Sequence, residues 1–206
     1  MPQHRKNART MKYRTTFIIV LATASVALAG CGGARLTTIE RENDNPLVAA
    51  RYGDELADGE ANLIIQNDPI LKEPGMQDKI SKEIERGKKI AQDARDLMSR
   101  GMQGGIIPLN DNVGGNALYL NDILYFSSDF YCRPSASIHV YLTTVVDPRD
   151  VTFPDPTAID LGPLQYNFGA QQYAVPYQSK PELLRSLAIY DTSIKRLFAL
   201  SQLSKR

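Results

Sequence analysis

The stretch LGPLQYNFGAQQYAVPY, residues 161–177, sets Tyr166, Phe168, Tyr173 and Tyr177 among Gly162, Pro163, Gly169 and Pro176, without one charged residue. Gly162 and Gly169 permit backbone turns at strand ends. Tyr166, Phe168 and Tyr173 offer large apolar faces to a core. Pro176 suits a sheet edge where no ladder donor is needed. The segment reads as a loop and strand that lock a β-structure. Its neighbours speak the same grammar. GIIPL, NALYLND, ILYFSS, SIHVYLTTVV, QYAVPY, SLAIYD and IKRLFALSQL alternate or run apolar, with Pro, Gly, Asn and Asp between them. Short strands with turn signals about every ten residues predict an antiparallel sandwich or barrel over 105–203.

Upstream, the period changes. NPLVAARYGDELADGEANLIIQND (45–68) begins with Asn45 as a cap and Pro46 at the first helical position. Val48, Tyr52, Leu56 and Leu63 or Ile64 then recur at helical spacing. In MQDKISKEIERGKKIAQDARDLMSR (76–100), Ile80, Ile84, Gly87, Ala91, Ala94 and Met98 form one stripe, which Gly101, Gly104 and Gly105 end. Pro69, Pro74 and Gly75 separate the two stretches, so an antiparallel helical pair is expected over 46–101. Both stripes are thin in large apolar residues, which suggests helices that pack on something beyond each other. The fold class is α+β, helices first.

The first sixteen residues hold five Lys or Arg and no acid, and the uncharged run FIIVLATASVAL (17–28) follows them. A basic start, an apolar stretch of about a dozen residues and a small-residue cleavage zone make a secretory signal over 1–30. Met11 could equally begin it, since MKYRTT serves alone as the basic region. LAGC (28–31) resembles the bacterial lipobox, which implies diacylglycerol on the Cys31 thiol and cleavage just before it. The alternative is an uncleaved anchor, although Thr15 to Ala34 provide only about twenty uncharged residues, the lower limit for spanning hydrocarbon. Acyl chains contribute about 0.8 kcal/mol per buried CH₂, so a lipidated Cys31 anchors without a transmembrane helix. Gly32 stands where an Asp would favour inner-membrane retention, which directs the chain to the outer membrane of the cell envelope. Residues 31–45 read as a flexible polar tether.

After Cys31 the chain carries 19 Lys and Arg against 23 Asp and Glu, a net charge of −4, which supports neither nucleic acid nor anionic lipid as a partner. There is no Trp. Cys132 is the one thiol beyond Cys31, so no intramolecular disulfide forms once Cys31 is lipidated. Its neighbour Arg133 could favour the thiolate, though a partly buried small apolar residue is the plainer reading. His139 is the one histidine beyond the signal, and it alternates with apolar neighbours as a half-exposed strand residue. One His and one Cys are too few for a thiol or imidazole metal cage. No nucleophile elbow, S-x-x-K, P-loop or G-x-G-x-x-G occurs. NDNVGGN (110–116) reads as a hairpin turn and does not match the EF-hand calcium loop. Asp147, Asp150, Asp155 and Asp160 lie in a proline-rich loop where exposed acids are ordinary. No cofactor is called for.

Four pieces together resemble a DM13 domain, a β-rich extracellular module. SIHVYLTT (137–144) resembles its apolar strand ending in V-Y-L, and IDLGPLQYNFGAQQYAVP (159–176) its L-G, spacer, G-x-Q-x-Y and Pro. LLRSLAIYDTSIKRLFALSQL (183–203) resembles its closing hairpin, and GNALYLND to YFSS (115–128) would supply the opening strands. The resemblance implies a β-domain, and with it a proposed electron transfer through a cysteine of the closing strand. Asp191 stands at that place here, and Cys132 lies in an earlier loop.

The leading expectation is a non-enzymatic lipoprotein, anchored through Cys31. Its β-domain, held off the membrane by the helices, would bind a protein, glycan or small ligand at a groove lined by Tyr166, Tyr173, Tyr177 or Tyr190. The alternative is a redox protein using Cys132, and a third option is a hydrolase around His139.

Overall fold

The computed structural model describes residues 44–109 and 112–205. The signal, Cys31, most of the tether and Asn110–Asp111 of the NDNVGGN stretch lie outside them.

Helix α1 (Pro46–Ile65) and helix α2 (Met76–Met98) form the expected pair, joined through a 3₁₀ turn at Pro69–Lys72. Asn45 caps α1 as read: its Oδ1 accepts from the Leu47 N–H at 3.0 Å. The same side chain donates through Nδ2 to the Phe126 carbonyl at 2.8 Å, so one buried residue both starts the helix and pins it to the β-domain.

On α2 the contact runs along the expected stripe, where Ile80, Gly87, Ala91 and Ala94 are buried and Ile84 and Met98 half-buried. On α1 Val48 is buried as expected, but Gly53 and Ala57 are buried too, while Tyr52, Leu56 and Leu63 are half-buried and Ile64 is exposed. A Cβ on Gly87 would lie 2.7 Å from the Gly53 carbonyl oxygen and 2.8 Å from the Ala57 nitrogen; a Cβ on Gly53 would lie 2.5 Å from the Gly87 oxygen. The two Gly-x₃-Ala segments, 53–57 and 87–91, thus bring the backbones into direct contact. The helices pack on each other through small residues and on the β-domain near their base, where Leu47 and Met98 cover Leu118, Leu120, Ile123 and Tyr125 and Arg51 donates to the Ser128 hydroxyl at 3.2 Å. Among the described residues no helix is long and apolar enough to cross a membrane.

The β-domain begins earlier than its glycines imply, because Met102–Gly105 form edge strand β1. The others are β2 (Ile107–Pro108), β3 (Val113–Gly114), β4 (Asn116–Leu120), β5 (Ile123–Phe126), β6 (Tyr131–Cys132), β7 (Ile138–Thr143), β8 (Ile159–Pro163), β9 (Gln171–Ala174), β10 (Ser186–Asp191) and β11 (Arg196–Gln202). They pair antiparallel in sheets of order β1-β4-β5-β9, β2-β11-β10-β7-β8 and β3-β6. Val113 and Gly114 pair with β6, so that part of NDNVGGN is a strand edge and not a hairpin turn. The core lies between the two larger sheets. Ala117, Tyr119, Leu124, Phe126 and Tyr173 on one side meet Val140, Leu142, Leu187, Ile189 and Ala199 on the other. The outer face of the five-stranded sheet is covered too: Tyr141 and Tyr190 pack on Phe153 from the proline-rich loop. Coverage on both faces leaves all six residues of β10 buried.

Because two helices of 20 and 23 residues run antiparallel, the chain leaves the β-domain at Asn45 and comes back to it at Met102. The expectation of helices standing between the tether and the β-domain is therefore corrected: the hairpin is a side arm about 30–35 Å long, and the tether joins at its base.

The close crossing predicts opposite outcomes for two glycines. Gly87→Ala should destabilise the helical pair by about 1–3 kcal/mol through overpacking. Gly59→Ala, with nothing within 4 Å of its new methyl, should stabilise by about 0.5–1 kcal/mol through backbone entropy. Urea unfolding followed by helical circular dichroism checks both, and equal effects would contradict the crossing.

Candidate functional site

The crossover from β8 in one sheet to β9 in the other passes through residues 164–170. A chain moving between sheets leaves the ladder, so its backbone groups need other partners. Gln171, buried at the start of β9, supplies them from one side chain. Its Oε1 accepts from the Tyr166 N–H at 3.2 Å and its Nε2 donates to the Tyr166 carbonyl at 2.9 Å. The buried Tyr173 hydroxyl donates to Gln171 Oε1 at 2.9 Å and accepts from the Gln165 N–H at 2.9 Å. Burial pushes the Tyr173 phenol up to about 12.

The far side of the loop is held as firmly. The Cys132 N–H donates to the Asn167 carbonyl at 2.8 Å, Asn167 Nδ2 donates to the Cys132 carbonyl at 3.0 Å, and the Gly169 N–H donates to the Phe130 carbonyl at 2.8 Å. These bonds pair Tyr131 with Phe168 across an isolated bridge. The rings they present face outward: Tyr131 is 36% exposed, Tyr166 64% and Phe168 70%. The Tyr131 ring lies over Gly114, whose Cβ, if present, would sit 2.6 Å from it. Three exposed aromatic residues thus stand as a platform on backbone held by hydrogen bonds. Backbone fixed in advance loses less entropy on contact, which favours exposed aromatics as anchors.

Tyr166 and Phe168 are thus not core residues as read; past Gly162, at φ +100°, the segment is a loop and no longer follows strand alternation. Of the four groove tyrosines, only Tyr166 belongs to the platform. Tyr173 lies beneath it in the core. Tyr190 is buried against Tyr141 and Phe153 on the outer face of the other sheet. Tyr177 is 82% exposed, but it follows the end of β9 that pairs with Ile123, away from the Gln171 end. A single groove shared by all four does not exist. Tyr131 and Phe168, whose adjacency depends on a bridge between distant segments, complete the site.

Cys132 is fully buried in the main core, and its Sγ donates to the Arg133 carbonyl at 3.6 Å. A thiol so placed offers no solvent-accessible redox surface. Asp191, where the closing-strand cysteine would stand, is also fully buried. Its Oδ2 accepts from the Ser135 hydroxyl and its Oδ1 from the N–H groups of Ser193 and Ile194, at 2.8 and 3.1 Å. These bonds, Ser135 first, hold its carboxyl down at about 2. Asp191 ties the β10–β11 turn to the chain before β7.

His139 faces both oxygens of Asp160 through Nδ1, at 3.1 and 2.9 Å, joining β7 to β8. Burial pushes the Asp160 carboxyl up, but the Gly162 N–H, His139 and Tyr141 outweigh it and leave it below its ordinary value. Tyr141 is pushed up to about 12, by burial first and then by Asp160. Among the described residues no hydroxyl or thiol is hydrogen-bonded to His139, so a hydrolytic triad is not assembled. Asp155 is buried, contrary to the reading of that loop as exposed: it accepts from the Thr143 and Thr157 hydroxyls and the Thr157 N–H. Among the described residues no three His, Cys, Asp or Glu side chains group as a metal cage.

Compared with protein-family models, with curated proteins and with solved structures, the chain matches none.

The two buried polar centres predict opposite pH signatures. Tyr173→Phe should cost about 1–2 kcal/mol at pH 7 by breaking two hydrogen bonds. Since the folded phenol titrates near 12 and an unfolded one near 10, the native Tyr173 stabilises fully below about pH 10. Its contribution fades as pH rises towards 12, so the gap to the Phe variant should narrow there. Asp191→Asn should also destabilise at neutral pH. That carboxylate titrates near 2 folded and near 4 unfolded, so its deficit should shrink as pH falls from about 4 to 2. Denaturant midpoints across pH check both, and parallel curves for variant and native chain would contradict the assignments.

Proposed function

We propose that the protein is an envelope-anchored, non-enzymatic binding module. The lipobox resemblance at Cys31 supports the anchor, and the quoted strand pieces support a DM13-like β-domain. The observation that carries the binding reading is the platform of Tyr131, Tyr166 and Phe168, exposed and yet fixed by the Gln171–Tyr173 network beneath. Single exposed rings are ordinary, whereas several gathered on one surface mark an interaction site. The partner is a protein, a glycan or a small ligand of the envelope.

The last residue of the tether and the platform are linked through the β-domain. Asn45, where the tether ends, bonds to Phe126, and Phe126 pairs directly with Gln171, which holds Tyr166. The platform therefore works close to the tether's attachment, while the helical arm projects elsewhere.

Two separable losses test this reading. Cys31→Ala should release the chain from the membrane fraction while leaving ligand retention unchanged. The triple variant Tyr131→Ser, Tyr166→Ser, Phe168→Ser should stay in the membrane fraction and lose retention on immobilised envelope extracts, glycan and protein, by about tenfold or more. Tyr177→Ser serves as the exposed-aromatic control. Undiminished retention by the triple variant removes the platform, and membrane association without Cys31 removes the lipid anchor.

A further inference from the structure

A second concave surface lies at the other end of the β4–β5 hairpin, away from the platform. Three stretches meet there: Arg100–Met102 leading into β1, the 3₁₀ turn Pro181–Leu183 with Arg185, and the chain end Leu203–Lys205. Backbone bonds lock them together. The Gln103 N–H donates to the Ser204 carbonyl at 2.9 Å, the Leu203 N–H to Arg185 at 2.8 Å, and the Arg185 N–H to Thr143 at 2.8 Å.

Between them lies a cavity of about 270 Å³ over Met102 and Leu203. It shares Met102, Glu182 and Lys205 with a smaller one of about 100 Å³ that extends to Arg100 and Leu120. The floor is apolar and the rim is basic: Arg100, Arg185 and Lys205 are exposed, against Glu182 alone. Among the described residues none of these three cations has an ion pair or a side-chain hydrogen bond. In a chain that is net −4 after Cys31, such a rim concentrates positive potential over a concave surface. The larger volume falls just below the range of small-molecule sites, about 300–1,000 Å³, and suits a ligand of a few heavy atoms.

We propose that this cleft binds a small organic anion, its carboxylate or phosphate held between Arg185 and Lys205 and its short apolar body laid on Met102 and Leu203. Arginine receives such oxygens in a planar fork, and lysine adds a point charge. The site is independent of the aromatic platform.

The test is a titration of the full-length chain in detergent, carrying ¹³C-methyl methionine, with hexanoate and with hexyl phosphate. Hexanol serves as the uncharged control and acetate as the tailless one. The Met102 methyl signal should move saturably with the anions, while that of Met76, on the helical arm, stays still. Arg185→Gln with Lys205→Gln, both on the surface, should raise the midpoint by about tenfold or more. A response to one anion alone still supports the site and identifies the head group. No movement of Met102, equal binding of hexanol, or an unchanged midpoint in the double variant overturns it.

Discussion

The carboxamide of Gln171 sits where the fold has least freedom. The chain must cross from one sheet to the other at residues 164–170, and every backbone group that leaves a ladder there needs a new partner. Gln171 offers a donor and an acceptor to the same residue, Tyr166, and so imitates a strand bridge with a side chain. Tyr173 closes the arrangement from below, and its ring packs edge-on against Phe126, 5.8 Å between centroids. Buried polar groups satisfied this fully rigidify a region, and half-satisfied ones loosen it. The platform above inherits that rigidity. The residues of the Q-x-Y piece therefore matter beneath the surface, and the residues that would touch a ligand are the ones they hold.

Polar satisfaction is the recurring device of this β-domain. Asp191 and Asp155 are both buried carboxylates with no cation paired to them among the described residues, each surrounded by hydroxyl and backbone donors. Each ties a turn to a distant segment, where an apolar residue could fill space but not fix a direction. The helical pair uses the opposite device. Its contact is made by backbone on backbone at Gly53 and Gly87, with the exposed Arg95–Asp54 ion pair beside it adding little.

Much of the architecture was legible in the residues. Asn45 and Pro46 marked the first helix because capping chemistry is local. The change from helical period to short alternating runs near Gly105 marked the α+β division. What lay beyond reach is instructive in each case. The stripe of α2 carries Gly87 and Ala91 into the contact, but on α1 the apolar period points to Tyr52 and Leu56, and the matching Gly-x₃-Ala spacing at 53–57 is the signal for close approach. Tyr190 could not be assigned a face, because a central strand covered on both sides has no exposed phase to alternate with. Asp155 does carry a local signal: DPT is an Asx-turn pattern, in which the carboxylate turns back on the N–H two residues on. The pairing of Tyr131 with Phe168 had none, since it is set by a bridge between segments 37 positions apart.

The burial of Cys132 has a use apart from any redox chemistry. A thiol reagent can reach it only when the core around β6 opens, so its labelling rate in the native state measures how often that opening occurs. Because β6 also carries the backbone bonds that hold Asn167, the same clock times the loosening of the aromatic loop. A fully buried sulfur thereby reports on the opening of an exposed surface that it never touches.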